Sequence, residues 1–160
     1  MINLPEVLRL LELGGIEFIV VGGAAATAHG AARSTTDLDI VYGRTPENLA
    51  RLVATLAPYQ PYLRGAPPGL PFRWDAMTIQ RGLNFTLITS LGDLDLLGEI
   101  TGGGGYEDLL DDTVTLQLFG VECLCLGLER LIHVKRAAGR PKDFEAIAEL
   151  EAILEERQRG

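Results

Sequence analysis

The sequence contains few of the residues that mark several common classes of protein. Cys123 and Cys125 are the only cysteines in 160 residues. Neighbours two apart on a strand lie too far apart for a comfortable disulfide. We therefore expect two reduced core thiols, as in a cytoplasmic protein. A zinc site is not expected, since no second pair of soft ligands is present.

Long apolar runs and lysines are also scarce. No apolar run approaches the roughly 20 residues that cross a bilayer, and no export signal is visible at the N-terminus, so no membrane partner is expected. Lys135 and Lys142 are the only lysines, and the net charge is −8. Such an acidic chain is poorly suited to coating nucleic acid unless its cations gather on one face.

Two familiar phosphate-binding motifs are missing. There is no Gly-Lys-Ser/Thr sequence, which excludes a P-loop. The glycines of "GGAAATAHG" do not follow the spacing of the Rossmann fingerprint. Any nucleotide site in this chain must therefore be built in another way.

The hydrophobic pattern predicts an α/β (α+β) fold in which helices pack on a mixed β-sheet. The length of the chain suits one domain over residues 1–160, with a core over about 1–126 and a helical pair over about 127–157. Residues 58–71, with five prolines and two glycines, are predicted to form a loop. The predicted helices cover about 4–13, 24–29, 46–56, 128–137 and 142–157, and the predicted strands about 18–21, 38–42, 83–88, 93–97, 113–118 and 121–126.

A pair of aspartates, Asp37 and Asp39, opens the second apolar strand. Side chains two apart on a strand face the same side, so the two carboxylates repel each other unless one is protonated or a cation lies between them. Oxygen ligands favour Mg²⁺ or Mn²⁺. Just upstream, Gly22 and Gly23 end a strand and open a helix, where free amides can hold a phosphate. A solvated strand edge and a simple tight turn are the alternative interpretations.

The stretch "GGAAATAHGAARSTTDLDIVY" resembles the signature of nucleotidyltransferases of the DNA polymerase beta-like superfamily. Its His-Gly and Arg-x-Thr-x-Asp elements are similar to those of the abortive-infection type, which includes toxin–antitoxin nucleotidyltransferases. The resemblance implies a nucleotidyltransferase fold and a third acid on a later strand. Asp95 matches that pattern better than Asp93.

The resemblance also implies an activity. Asp37, Asp39 and Asp95 would be the catalytic, metal-binding residues for Mg²⁺ or Mn²⁺. The enzyme would transfer a nucleoside monophosphate from a nucleoside triphosphate, for instance ATP, to an acceptor hydroxyl and release pyrophosphate. The acceptor could be an RNA end such as that of tRNA, a protein or a small molecule. The alternatives are a toxin–antitoxin component that acts by binding a partner protein, and a nucleotide-binding protein without turnover.

Several cations are candidate nucleotide ligands beside Gly22 and Gly23. Lys135 continues the apolar stripe of a predicted helix, where a lysine usually extends to solvent. Arg33 is another candidate, although an ion pair with a nearby acid explains it equally well. Arg140 and Lys142 are weaker candidates.

Four further side chains have structural interpretations. Asp143 suits the start of the last helix, and His29 is expected to cap the short helix. Phe72 and Trp74 could stack on a base or an acceptor, although packing is the more common role of such residues.

Overall fold

The computed structural model describes residues 2–32 and 35–160. Helices and strands alternate up to the strand Phe85–Thr89, and the rest of the described chain contains runs of consecutive strands and a final pair of helices. The helices are α1 (Leu4–Leu13), α2 (Gly22–Ala28), α3 (Pro46–Leu56), α4 (Ala76–Arg81), α5 (Tyr106–Leu109), α6 (Leu128–Ala138) and α7 (Phe144–Arg159). The strands are β1 (Phe18–Val21), β2 (Asp37–Tyr42), β3 (Tyr62–Leu63), β4 (Phe85–Thr89), β5 (Gly92–Leu97), β6 (Glu99–Ile100), β7 (Gly104–Gly105), β8 (Thr113–Leu118) and β9 (Val121–Leu126).

The main sheet has seven strands in the order β3-β4-β5-β2-β1-β9-β8. Strand β2 pairs antiparallel with β1 and parallel with β5, and β1 pairs parallel with β9. Strands β6 and β7 form a separate two-stranded ribbon. The sheet is therefore mixed, and the predicted fold class is confirmed.

Local sequence explains the central elements. All four residues of β1 are buried, as an uninterrupted apolar run requires. Helix α1 begins where the Asn3 Oδ1 accepts a hydrogen bond from the Glu6 amide at 3.3 Å, and Thr45 caps α3 through the Asn48 amide at 3.2 Å. These are the side-chain caps that satisfy the first free amides of a helix.

The structure differs from the sequence prediction mainly between β2 and β5. The proline-rich segment 58–71, predicted as a loop, contains the short edge strand β3, and α4 was not predicted. Strand β3 exists because β4 offers it hydrogen-bond partners, and proline is tolerated beside an edge strand. Helix α2 begins at Gly22 rather than at residue 24.

No helix in the described residues is both long and apolar enough to span a membrane.

Candidate active site

Strand β2 delivers two carboxylates to one face of the sheet. Leu38 and Ile40 are 0% exposed in the core, so the alternation of the strand directs Asp37 and Asp39 to the other side. Asp39 pairs across the ladder with Val21, the last residue of β1. The acids therefore lie where β1 ends and α2 begins.

Strand β5 brings the third carboxylate beside them. It runs parallel to β2, with Asp37 opposite Asp93 and Asp39 opposite Asp95. One oxygen each of Asp37, Asp39 and Asp95 lies within 4.8 Å of the others. The structure thus brings together the three predicted acids, and Asp93 lies at the next register position on the same face.

Glycine at position 22 is required by the approach of Asp39. The backbone of Gly22 has a φ of +65°, in the left-handed region that favours glycine. A Cβ atom at this position would overlap the Asp39 carboxylate. At Gly23 a Cβ would lie 3.1 Å from the Thr35 hydroxyl, so the turn into α2 packs directly on the acids.

The electrostatics of Asp39 indicate a missing partner. Burial, with the negative charges of Asp37 and Asp95 beside it, raises the pKa of Asp39 to about 8, and Lys135 opposes the shift. The Asp39 Oδ1 is buried and has no hydrogen-bond partner in the described part of the chain. An orphaned carboxylate oxygen among oxygen ligands suits a hard divalent cation such as Mg²⁺ or Mn²⁺.

Arg64 completes the acidic cluster, and sequence reasoning missed it. Its Nη2 donates a hydrogen bond to the Asp95 Oδ1. Its Nη1 lies 4.0 Å from the Asp37 Oδ2, and its Nε lies 3.6 Å from the Asp93 Oδ2. In the sequence this arginine sits in a segment predicted as a loop, so only the pairing of β3 with β4 reveals its position.

A cavity of about 250 Å³ adjoins the acids. Gly22 and Asp39 line one side of it, and Lys135 and Arg140 line another. One candidate metal ligand, Asp39, therefore shares a cavity with Gly22 and with two of the candidate nucleotide-binding cations, while Asp37 and Asp95 do not line it.

Asp143 organises the two cations. It is buried, lies 3.8 Å from the Lys135 Nζ, and accepts a 2.7 Å hydrogen bond from the Arg140 Nε. The side chain makes no capping bond to α7, although it occupies the position that precedes that helix. The sequence interpretation therefore had the correct location and missed the contact.

The remaining nucleotide-binding candidates lie elsewhere. Lys142 is exposed and does not line the cavity. Arg33 lies outside the described residues. Gly23 opens α2 beside Gly22 but is not among the residues that line the cavity.

His29 and the aromatic residues have structural contacts. His29 is the C-cap residue of α2, and its Nε2 lies 2.8 Å from the Leu126 carbonyl oxygen while Arg157 donates to its Nδ1. The Trp74 indole donates to the Val53 carbonyl at 3.0 Å, and Phe72 meets Tyr62 edge to face. These contacts favour packing over stacking on a ligand.

Comparison with solved structures identifies the fold. The chain superimposes on the lincosamide antibiotic adenylyltransferase LnuA, in its lincomycin-bound structure, with a TM-score of 0.63 and 17% identity over 94% of this chain and 95% of that one. A nucleotidyltransferase candidate from Thermotoga maritima gives a TM-score of 0.56 and 16% identity over 92% and 93%. An antigenic nucleotidyltransferase-like protein from Paracoccidioides brasiliensis gives 0.54 and 16% over 93% and 72%.

No protein-family profile matches the sequence, and no curated protein matches it either. The structural likeness shows that the chain has the nucleotidyltransferase fold, as the sequence resemblance predicted.

Proposed function

We propose that this protein is a nucleotidyltransferase that depends on Mg²⁺ or Mn²⁺. It transfers a nucleoside monophosphate from a nucleoside triphosphate to an acceptor hydroxyl. One observation carries the proposal: three carboxylates converge within 4.8 Å beside a cavity that Lys135 and Arg140 line. One of these carboxylates has a buried oxygen with no partner among the residues that the structure describes.

The carboxylates and the cations of the site have different proposed roles. Asp37, Asp39 and Asp95 would hold the divalent ion, which would supply positive charge to neutralise the charge that develops on phosphate oxygens. Gly22 and Gly23 leave room for the triphosphate, and Lys135 and Arg140 offer charge-assisted hydrogen bonds to it. Asp95, whose side chain is 21% exposed, accepts the proton of the acceptor hydroxyl. Asp143 holds both cations toward the cavity.

The reaction balances without a redox partner. The acceptor oxygen forms a bond to the α-phosphorus, and the bond from that phosphorus to the bridging oxygen breaks. Pyrophosphate leaves, and the hydroxyl proton passes to a carboxylate. The protein contributes alignment and charge neutralisation.

We propose a small hydroxylated molecule as the acceptor. LnuA, an adenylyltransferase of a lincosamide antibiotic, matches this chain over nearly the full length of both proteins. The net charge of −8 also argues against a long grip on RNA. ATP is the first donor to test, because LnuA is an adenylyltransferase. A tRNA end, a protein acceptor and a toxin–antitoxin partner are predictions from the sequence resemblance alone.

A labelling experiment tests the proposal. The protein is incubated with Mg²⁺ and ATP labelled at the α- or γ-phosphate, together with small-molecule, RNA and protein fractions of a cell extract. Label from the α-position should enter the small-molecule fraction, and label from the γ-position should appear in pyrophosphate.

The controls are EDTA and Asp39→Ala, both of which should abolish transfer. Transfer of γ-label would indicate a kinase instead. Transfer that survives Asp39→Ala would remove the proposed site, and label in RNA or protein would overturn the acceptor assignment.

A further inference from the structure

Arg64 reaches the acidic cluster from the edge of the sheet. It directly follows β3, and its amide donates to the Thr86 carbonyl of β4 at 2.9 Å. From there its guanidinium extends past β4 to the aspartates of β2 and β5, and its side chain is 27% exposed. This backbone anchor fixes where the side chain starts, and its Nη2 donates to the Asp95 carboxylate and, at 3.2 Å, to the Leu87 carbonyl.

The guanidinium uses the oxygens that a divalent ion would need. It bonds the Asp95 Oδ1 and lies 4.0 Å from the Asp37 Oδ2, and both residues belong to the candidate metal-binding group. A guanidinium and a divalent ion repel each other, and a carboxylate oxygen in a close ion pair is a poor metal ligand. The two cations therefore compete for one place.

We propose that Arg64 is an internal counter-cation that occupies the metal position of the metal-free protein and moves outward when a divalent ion binds. This inference rests on the metal site of the proposed function. It assigns to Arg64 control over metal affinity, which is separate from the ability of the site to bind metal.

Two orphaned polar atoms show why this exchange is favourable. Among the described residues the Asp39 Oδ1 lacks a donor and the Arg64 Nε lacks an acceptor, and both atoms are buried. The Asp93 Oδ2 lies 3.6 Å from that Nε, just beyond hydrogen-bond distance. A short outward movement of Arg64 gives its Nε an acceptor on Asp93, and a bound ion gives Asp39 its partner.

This movement gives Asp93 a role that differs from the role of the metal ligands. It lies opposite Asp37 in the ladder but outside the metal-binding group. It offers the displaced guanidinium a carboxylate, so Arg64 exchanges one ion pair for another. Competition by Arg64 weakens binding of a bare ion. The site then fills best when triphosphate oxygens complete the coordination of the ion.

Titration of Mn²⁺ into the intact protein, followed by the electron spin resonance of free Mn²⁺, tests this exchange without any turnover. Arg64→Gln should bind Mn²⁺ about tenfold more tightly than the wild type, because an opposite charge beside a carboxylate is worth roughly one to three pKa units. Arg64→Lys keeps the positive charge and should stay close to the wild type.

Arg51→Gln is the matched control. It removes one positive charge from an exposed position on α3 that takes no part in the cluster, so it should leave the affinity unchanged. In the Arg64→Gln background, Asp39→Asn should abolish the tight binding.

The outcomes separate the inference from the proposed function. Equal affinity in the wild type and Arg64→Gln, or weaker binding in Arg64→Gln, would overturn the inference while the metal site stands. No Mn²⁺ binding in any variant would overturn the metal site itself, and the inference with it.

A measurement on the wild type covers the case in which Arg64→Gln does not fold. In protein labelled with ¹⁵N-arginine, the Arg64 Nε–Hε signal, assigned by comparison with Arg64→Lys, is followed during addition of Mg²⁺. The signal should shift as the Nε–H group turns to Asp93. A signal that saturating Mg²⁺ leaves unmoved would contradict the exchange.

Discussion

A polar cluster lies at each end of strands β1 and β2, and the two clusters differ in burial and in how fully their polar atoms are bonded. At one end Asn48 is 0% exposed. Its Oδ1 accepts from the Glu17 amide at 2.7 Å, and its Nδ2 donates to the carbonyls of Glu17 at 3.1 Å and Gly43 at 2.7 Å. Every polar atom of this amide has a partner within the chain.

The aspartate cluster at the other end is incomplete. The Asp39 Oδ1 and the Arg64 Nε are buried without a partner in the described residues, and burial raises the pKa of Asp39. Native proteins rarely leave buried polar groups unpaired. The comparison therefore separates a fully bonded cluster from one that leaves two buried polar atoms unbonded within the described residues.

The largest expected effect is on the incomplete cluster. Asp39→Asn keeps the shape of the side chain and removes its charge, so it should lower transfer by about 100-fold or more, since a bound ion contributes several kcal/mol to such reactions. Steady-state kinetics measure the loss, and circular dichroism should show an unchanged fold. An active Asp39→Asn protein would contradict the role of this cluster.

Removing the complete cluster should act on stability. Asn48→Ala removes a partner of the Glu17 amide and of the Gly43 carbonyl, while the Glu17 carbonyl keeps the Gly43 amide at 3.0 Å. It should lower the free energy of unfolding by about 3 kcal/mol. Urea denaturation measures the change. Activity per folded molecule at low temperature should stay near that of the wild type. A decrease in the free energy of unfolding below about 1 kcal/mol would show that Asn48 contributes little more to stability than an ordinary surface residue does.

The two lysines provide a matched pair of variants. Lys135→Gln should weaken use of the triphosphate about tenfold, because a charge-assisted hydrogen bond contributes about 1.5–3 kcal/mol. Lys142→Gln, on an exposed residue outside the cavity, should have little effect. Initial rates at varied ATP concentration measure both variants, and equal losses would contradict the placement of the triphosphate beside Lys135.

The smallest expected effect concerns pH. The pKa of Asp39 is about 8 in the folded protein against an ordinary 3.8. Between these values the folded state holds more protons than the unfolded state, so the free energy of unfolding should fall as pH rises toward 8. In EDTA it should be about 1 kcal/mol lower at pH 8 than at pH 7.

Two controls isolate Asp39 in that measurement. Asp39→Asn should remove its contribution to the pH dependence. Mg²⁺ should stabilise the wild type more at pH 8 than at pH 6, because metal binding requires the ionised carboxylate. In EDTA, a free energy of unfolding that falls with pH no more steeply in the wild type than in Asp39→Asn would show that the pKa of Asp39 is not raised.

Much of the fold could be predicted from the local hydrophobic pattern of the sequence, and the errors in that prediction share a cause. The helices near 4–13, 46–56 and 128–137 have apolar stripes and recognisable ends, and the structure confirms them. Strand β3 carries no such signal, because two residues among prolines have no period of their own. It forms only because β4 is already in place beside it.

The residues of the candidate site likewise differ in whether the local sequence predicts their position. Asp37 and Asp39 were predicted to share a face because strand geometry alone requires it. The family resemblance selected Asp95, and the structure places it beside them. Arg64 was missed because its contacts depend on strands distant in the sequence. The hydrogen bond between Asp143 and Arg140 joins residues only three apart, and it was missed because Asp143 was interpreted only as the start of the last helix.

The sequence by itself determined the strand, glycine turn and helix that open the site, and the common side of Asp37 and Asp39. These features follow from backbone sterics and from the two-residue repeat of a strand, which act over a few neighbouring residues. Only the tertiary structure decided that Asp95 lies opposite Asp39, that Lys135 faces the same cavity, and that Arg64 lies among the acids. Those positions depend on the order and register of strands distant in the sequence, which are set by packing of the whole sheet.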